Sequence, residues 1–337
     1  MNSHPMFPIV ALTLAASVAV LLVGLLRIPL RRMVGAQAAY WLWLMVPASA
    51  LAVLLPPPEH SLGLDFIGVS GLISQAIIDA IVAWTGASES LNYAGIGLLL
   101  WASGAALMLA LTVRRQQAFV RSLGRLSSLP NGAYQSAAVV EPMLVGALRP
   151  RVVLPADFET RYTREERVLV LAHERAHVQR GDAWLNALAA GWMCLSWFNP
   201  LMYWAIVWFR FDQELACDAR VLAVTGTARC RYADALLKTQ IAADSRQPLP
   251  IACHWQSRHP LRQRIAALKH PLPSGMRRVS GVVLALTLIA SGSYAVWAAQ
   301  PGPQFPLMAP PHECPNMDTS AAGTPASWWN TRYAGVI

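Results

Sequence analysis

The sequence has few charged residues, and this shortage argues against an ordinary soluble domain. Charged residues make up 13% of the chain and hydrophobic residues 55%, whereas charged residues are about 25% of a typical soluble domain. The shortage is concentrated in long apolar runs, which predicts membrane-spanning helices. The net charge of +9 does not indicate a nucleic-acid surface, because the arginines cluster at the ends of these runs, as the cytoplasmic flanks of membrane helices do.

The five cysteines include no CxxC pair and form no regular framework, so the sequence does not indicate a disulfide-stapled fold. Four are expected to be reduced cytosolic thiols: Cys194, Cys217, Cys230 and Cys253. The fifth, Cys314, is a lone thiol in the C-terminal tail. Cys217 stands next to Asp218, and we interpret it as a thiol that packs between helices rather than as a redox group or an inhibitory ligand.

Four apolar runs are about long enough to cross a hydrocarbon core of ~30 Å as helices. They cover residues 6–26, 39–55, 94–113 and 280–299. When the basic ends are taken as cytoplasmic, all four agree on one topology. Both termini and residues 56–93 then lie outside, and residues 27–38 and 114–278 lie inside. A cleaved signal peptide is the weaker interpretation of the first run, since its arginines follow it rather than precede it.

This layout predicts a mainly α membrane protein with four transmembrane helices and a cytoplasmic α+β domain. The predicted parts are a membrane domain with three spans (1–113), the cytoplasmic domain (114–278), the fourth span (279–299) and a short outer tail (300–337). The cytoplasmic part holds most of the charge and therefore most of the chemistry. Two β-like segments are expected in it, at 137–140 and 151–154, and Thr163 can cap the helix that follows them.

That helix carries the string HERAH, with His173, Glu174 and His177. Four residues advance a helix by about 400°, so the two histidines lie on one face, a turn apart, and can both reach one metal ion. In such sites the glutamate accepts a proton from the metal-bound water. An HExxH string also occurs in amphipathic helices whose histidines only pack or hydrogen-bond. A third candidate ligand is therefore needed to distinguish a zinc site from such a helix.

A catalytic zinc ion usually takes three protein ligands and leaves one position for water. The sequence after His177 reads VQRGDA and lacks the third histidine of the HExxHxxGxxH pattern. Downstream, the stretch RFDQELACDARV has Glu214 and Asp218 one helical turn apart. Glu214 is the candidate third ligand, and Asp218 is the candidate for orienting a ligand histidine. The alternative is a solvated helix face with pairs such as Arg210 with Glu214.

The segment between the two half-sites, residues 183–209, is apolar enough to be taken for a membrane span. A single crossing would put Glu214 and His173 on opposite sides of the bilayer, and two crossings would need roughly 40 residues. Asn199-Pro200 interrupts the segment, because proline lacks a backbone donor and disfavours helix in the residue before it. We therefore expect two apolar helices folded back on each other on the cytoplasmic side.

In order along the chain, the basic-flanked spans are followed by EPMLVGALRPRVVLP, LAHERAHVQRGD, FNPLMYW, RFDQELACDARV and HPLRQRI. This series resembles the BlaR/MecR family of membrane metallopeptidases, in layout over most of the chain and in its motifs from EPMLVG to HPLRQRI. The resemblance implies a zincin-like domain of the gluzincin type, with one catalytic zinc ion on His173, His177 and Glu214. It also implies that Glu174 is the general base and acid, with Asp218 behind the ligands.

By the same resemblance, Val152, Val153 and Leu154 form the strand that aligns the substrate backbone by β-addition. Members of the family respond to a signal at the outer face and cleave a cytoplasmic transcriptional repressor or themselves, so that resistance genes are expressed. The β-lactam-sensing members carry an outer penicillin-binding domain with an SxxK nucleophile. Residues 300–337 contain no SxxK, so direct acylation by a β-lactam is not expected.

Two other functions stay open at this point: a membrane signalling or scaffold protein with a structural zinc ion, and a quality-control protease that trims membrane proteins. His254 and Arg258 are candidates for the group that stabilises the oxyanion. The expected partners are a cytoplasmic protein substrate and the lipid bilayer. Anionic lipid explains the basic stretch 114–125 more simply than nucleic acid does.

Overall fold

The computed structural model describes residues 7–56, 58, 93–226, 229–244 and 261–300, most of which are helical. Several expectations fall outside these residues. They concern most of the outer segment 56–93, the tail after residue 300, the oxyanion candidates His254 and Arg258, and the thiols Cys253 and Cys314.

The first apolar run forms α1 (Phe7–Val34), which continues well beyond residue 26. Gly35 follows with a φ of 106°, a backbone conformation that favours glycine, and it separates α1 from α2 (Ala36–Trp41). A 3-10 turn (Leu42–Leu44) joins α2 to α3 (Met45–Leu54). Residues 27–38 are therefore helical on both sides of Gly35 rather than a connecting loop.

The third apolar run lies in α4 (Tyr93–Ser122). This helix continues without a break through the basic residues that follow position 113. The predicted domain boundary between residues 113 and 114 therefore falls inside one helix, and residues 114–122 of the basic stretch form its last turns.

A small mixed sheet follows α4, with strands β1 (Ser127–Ser128), β2 (Tyr134–Ser136), β3 (Met143–Val145) and β4 (Arg151–Pro155) in the order β1-β2-β4-β3. The strand predicted at 151–154 is confirmed. The strand predicted at 137–140 is wrong, because the Ser136 hydroxyl accepts a hydrogen bond from the backbone N–H of Ala138 at 3.1 Å and ends β2 in a turn. The strand β3 lies between the two predicted β-like segments and was not itself predicted.

The sheet is packed on both faces, which fixes it against the helices around it. On one face, Val153 of β4 packs with Phe119 from the end of α4 and with Met143. On the other face, Leu154 packs with Phe158 and Val170. Side chains that alternate along β4 thus point to opposite faces, as expected for a strand.

The helix with the HERAH string begins at a complete capping box. After the short α5 (Phe158–Arg161), α6 spans Arg164–Arg180. The Thr163 hydroxyl accepts a hydrogen bond from the Glu166 backbone, and the Glu166 carboxylate accepts one from the Thr163 backbone, at 3.3 and 2.8 Å. The cap predicted at Thr163 is therefore confirmed. Gly181, with a φ of 70°, ends α6 in the left-handed conformation common at helix C-termini.

The apolar segment after Gly181 folds back on itself. It forms α7 (Asp182–Leu195) and the long α8 (Pro200–Thr225). Asn199 caps α8 by accepting a hydrogen bond from the Leu201 backbone at 3.0 Å, and Pro200 occupies its first turn, where a missing N–H costs nothing. The break predicted at Asn199-Pro200 is confirmed, and the second half of α8 returns to α6 with Glu214.

The remaining helices are α9 (Arg229–Asp244), α10 (Leu261–Leu268) and α11 (Gly275–Ala298). Within the described ranges, four segments are long and apolar enough to cross a membrane: Pro8–Val34, Ala36–Leu54, Gly95–Ser122 and Gly275–Ala298. The small residues Ala15, Ala16 and Ala19 of α1 are buried, and α1 contacts α2, α3 and α11. The chain is thus a mostly helical membrane protein with a small α+β part.

Candidate metal centre

Three side chains from α6 and α8 converge at one point. The Nε2 atoms of His173 and His177 lie 3.1 Å apart. The carboxylate of Glu214 lies 3.3 Å from Nε2 of His173 and 3.5 Å from Nε2 of His177. The structure therefore brings the three predicted ligands together, and Glu214 faces the histidines rather than lying on a solvated helix face.

The hydrogen bonds behind the histidines determine which ring nitrogens are free. The Tyr232 hydroxyl donates to Asp218 at 2.7 Å, so its oxygen accepts from Nδ1 of His173 at 2.8 Å. Nδ1 of His177 donates to the Asp182 carboxylate at 2.7 Å. This assignment of protons follows from the network, and it leaves a lone pair on each Nε2. Three acceptor groups thus point at one another, an arrangement that suits a metal ion.

The spacing of these groups fits a zinc ion. Zinc binds nitrogen and oxygen ligands at about 2.0–2.2 Å in tetrahedral geometry, which puts neighbouring ligand atoms roughly 3.3–3.5 Å apart. The three measured distances, from 3.1 to 3.5 Å, lie close to this range. The donor set of two imidazoles and one carboxylate is also that of catalytic zinc sites with an open position.

Arg264 balances the negative charge on the other side of the site. Its guanidinium lies 3.1 Å from the Glu214 carboxylate and donates two hydrogen bonds to Asp218, at 2.9 and 2.7 Å. Burial raises the pKa of Glu214, but the charges of Arg264 and His177 outweigh it and hold that pKa well below its ordinary value. Glu214 is therefore ionised, as a metal ligand must be.

A proton and a metal ion compete for His177. Burial lowers the pKa of this histidine, but the neighbouring Cys217, Glu214 and Asp182 outweigh burial and raise the pKa well above its ordinary value. Because Nδ1 already carries a proton, the added proton occupies Nε2, which faces His173. Metal binding at Nε2 must displace that proton.

Glu174 lies beside the predicted ligands on α6. It is buried, with 7% of its surface exposed. Its direction around the helix axis differs by about 100° from that of His173 and by about 60° from that of His177. The Glu174 side chain therefore leaves α6 next to the side that carries the predicted ligands. This position agrees with its predicted role as general base.

Asp218 acts on His173 mainly through Tyr232. Its carboxylate is 3.5 Å from Nδ1 of His173, whereas Tyr232 bridges the two at hydrogen-bond distance on both sides. The sequence reasoning missed Tyr232, Asp182 and Arg264. Asp182 could have been found, since a glycine that ends α6 brings the next residue back towards the last turn of the helix. No local pattern marks the other two.

The strand predicted to align the substrate lies in the interior of the sheet. Val152, Val153 and Leu154 lie in β4, which is paired with β2 on one side and with β3 on the other. An added substrate strand needs a free edge, and β4 has none. The sheet edge next to α6 is β3, which contacts α6 and, in the described part of the chain, pairs only with β4.

Cys217 is a free, fully buried thiol, as expected of a packing residue. Its sulfur also lies 3.3 Å from Nδ1 of His177 and 3.6 Å from the Asp182 carboxylate. Burial raises the pKa of this thiol, although His177 and Arg180 oppose the rise. Cys217 therefore packs against the back of His177, one of the predicted ligands.

Comparison with known proteins gives two matches. A family model described as BlaR1 peptidase M56 matches residues 8–268. The regulatory protein BlaR1 of Bacillus licheniformis is 24% identical over 179 residues, which cover 51% of this chain and 30% of that protein. The chain thus aligns with less than a third of the length of this relative.

Proposed function

The chain belongs to the BlaR1 peptidase M56 family, and we propose on this basis that it is an integral membrane zinc metalloendopeptidase. Its zinc ligands are His173, His177 and Glu214. The observation that carries this proposal is the convergence of three acceptor groups within 4.8 Å of one another, on helices that an apolar hairpin brings together. A bound zinc ion supplies Lewis acidity, which lowers the pKa of water and polarises a peptide carbonyl.

The chain's own residues have distinct parts in the proposed reaction. Glu174 accepts the proton of the attacking water and passes it to the leaving amine. Asp182 and Tyr232 each accept a hydrogen bond from Nδ1 of one histidine, so that both Nε2 atoms remain free for the metal. Arg264 keeps Glu214 ionised. The substrate backbone adds to the free edge of β3.

In the proposed topology, the chain crosses the membrane four times and the metal site lies on the cytoplasmic side. There it cleaves a transcriptional repressor, or the chain itself, in response to a signal at the outer face. The match to a relative named as a regulatory protein supports a regulatory role. The basic ends of the apolar helices support the orientation.

The test compares the wild-type chain with Glu174→Gln, which keeps the size of the side chain but removes the base. Both proteins are purified in detergent, their zinc content is measured, and the new N-termini that each one creates in a cytoplasmic extract are identified. Glu165→Gln is the matched control, because Glu165 lies on the same helix and its side chain is 63% exposed. We expect cleavage with wild type and Glu165→Gln and none with Glu174→Gln.

The outcomes separate the proposal from its alternatives. Equal cleavage by wild type and Glu174→Gln, or the absence of bound zinc, rejects the peptidase mechanism. Retained zinc with no cleavage of any protein favours the signalling or scaffold function. New N-termini spread over damaged membrane proteins, with none in a repressor or in the chain itself, favour quality control.

A further inference from the structure

A buried hydroxyl connects the membrane helices to the metal centre. Tyr40 lies on α2, in a segment apolar enough to cross a membrane, and is 5% exposed. Its hydroxyl donates to one carboxylate oxygen of Asp182 at 3.0 Å. The other oxygen of Asp182 accepts from Nδ1 of His177 at 2.7 Å. One carboxylate, itself 1% exposed, is thus shared between α2 and a predicted zinc ligand.

The orientation of the Tyr40 hydroxyl is itself fixed. The side-chain amide of Gln213, next to Glu214 on α8, donates to the Tyr40 oxygen at 3.2 Å. Since this bond occupies the oxygen as an acceptor, the hydroxyl proton is left for Asp182. The ring is also held, because Phe209 stacks on it at 5.6 Å and the Arg180 guanidinium lies 4.2 Å from its centre.

A second buried contact fixes α8 relative to the same membrane helices. Asp212, two residues before Glu214, is fully buried. Its carboxylate accepts hydrogen bonds from Arg27 at 3.1 Å, from Arg31 at 3.4 Å and from the Trp43 indole at 2.9 Å. The helix that carries Glu214 is therefore held by α1 and the 3-10 turn, and Asp182, which orients His177, is held by α2.

We infer that Tyr40 is a positioning residue of the metal centre, through which α2 sets the orientation of His177. Without its hydroxyl, one oxygen of Asp182 loses this hydrogen bond and is left with the longer contact to Nε of Arg180, at 3.5 Å, so that the carboxylate rotates or takes up a water molecule. Either change disturbs the bond to Nδ1 of His177. A shift of α2 relative to α8 acts in the same way, so this contact gives the membrane helices a physical route to the proposed active site.

The test measures zinc affinity of the full chain in detergent by competition with a chelator. Asp182→Asn is expected to weaken zinc binding about 10- to 100-fold, as loss of a partner behind a ligand histidine does. Tyr40→Phe removes one hydrogen bond further away and is expected to weaken binding about fivefold. The matched control is Tyr203→Phe on α8, which loses a hydroxyl that donates to the Trp197 carbonyl at 2.8 Å and should bind zinc as wild type does.

The double variant decides whether Tyr40 acts through Asp182. In the Asp182→Asn protein, adding Tyr40→Phe should cause no further loss of zinc affinity. A full additional loss overturns the inference, as does a Tyr40→Phe protein with wild-type affinity or an equal loss in Tyr203→Phe. If Tyr40→Phe does not fold, Tyr40→Leu, which also lacks the hydroxyl, takes its place, and unchanged affinity in that variant overturns the inference.

A measurement of substrate turnover rests on the proposed function, whereas the measurements of zinc affinity do not, so the two are made separately. With an identified substrate, Tyr40→Phe at saturating zinc should lower kcat more than it changes KM, because the altered group holds the metal ligand rather than the substrate. If the wild-type chain hydrolyses nothing, the proposed function fails while the zinc measurements still decide the inference. Wild-type kcat in the zinc-saturated Tyr40→Phe protein overturns the inference alone.

Discussion

Replacing Tyr232 with phenylalanine tests the hydrogen-bond network behind His173. The Tyr232 hydroxyl is fully buried and lies between Nδ1 of His173, at 2.8 Å, and Asp218, at 2.7 Å. Phenylalanine keeps the ring and its packing but leaves the Nδ1 proton of His173 without that acceptor. The remaining oxygen nearby belongs to Asp218, 3.5 Å away, which is too far for a good hydrogen bond.

The size of the effect follows from the cost of an unsatisfied buried donor. That cost is about 1–3 kcal/mol, which corresponds to a loss of zinc affinity of roughly 5- to 150-fold. A movement of Asp218 towards His173 would relieve part of this cost. The relief is only partial, because the movement weakens the two hydrogen bonds from Arg264 to Asp218. We therefore expect the measured loss to be about tenfold.

The measurement is a zinc titration of the full chain against a competing chelator, with thermal unfolding recorded in parallel. Tyr162→Phe is the control, since Tyr162 is 2% exposed and its hydroxyl hydrogen-bonds to Thr239 at 2.8 Å, away from the ligands. It should lower the unfolding temperature but leave zinc affinity unchanged. Wild-type affinity in Tyr232→Phe, or the same loss in both variants, would refute the reasoning.

Three further predictions concern stability and orientation. Burial raises the pKa of Glu166, but Lys238 and the helix cap outweigh burial and lower the pKa below its ordinary value of 4.5. A carboxyl group with a lowered pKa stabilises the fold above pH ~4.5, and this contribution is lost as the pH falls through the lowered pKa. Glu166→Gln should therefore reduce the unfolding temperature at pH 7 by more than at pH 4, and an equal reduction at both would contradict the ion pair. A methyl group on Gly104 would overlap the ring of Trp197, so Gly104→Ala should destabilise the packing of α4 on the hairpin by about 1–3 kcal/mol, seen in thermal unfolding; an unchanged unfolding temperature would contradict this contact. For orientation, Ser128→Cys, exposed in β1 and introduced into a chain without its own cysteines, should react with a membrane-impermeant maleimide only in permeabilised cells; labelling of intact cells would place the sheet outside.

The sequence predicted the features of the fold that depend on local patterns. The break at Asn199-Pro200 was predictable because proline restricts its own backbone and that of the residue before it. The cap at Thr163 was predictable because capping residues have fixed spacing. The convergence of Glu214 with the histidines followed from a length argument, since the apolar segment between them is too short to cross a membrane twice.

The features that the sequence did not reveal depend on tertiary contacts. Apolar character alone could not show that α1 continues to Val34, since its last turns carry arginines that pair with Asp212 in a distant helix. Tyr232 and Arg264 reach the site from α9 and α10, and no spacing relates them to the HERAH string. The sheet order was also hidden, because strands of three residues contain too little alternation to fix their neighbours.

The predicted boundary at residue 114 separates the candidate metal centre from the first membrane helices, and buried contacts cross this boundary in the structure. Asp212 and Asp182 are almost inaccessible to water, and a buried carboxylate is tolerated only when donors compensate for its lost hydration. For Asp212 the donors shown come from α1 and the 3-10 turn, and Asp182 takes one from Tyr40 on α2. Removing residues before 114 would therefore take away the donors to Asp212, two residues before Glu214, and the donor to Asp182 behind His177. These contacts join the part of the chain that carries the three predicted ligands to α1, α2 and the 3-10 turn. If the proposed metal site exists, a movement of these helices would change the geometry of its ligands.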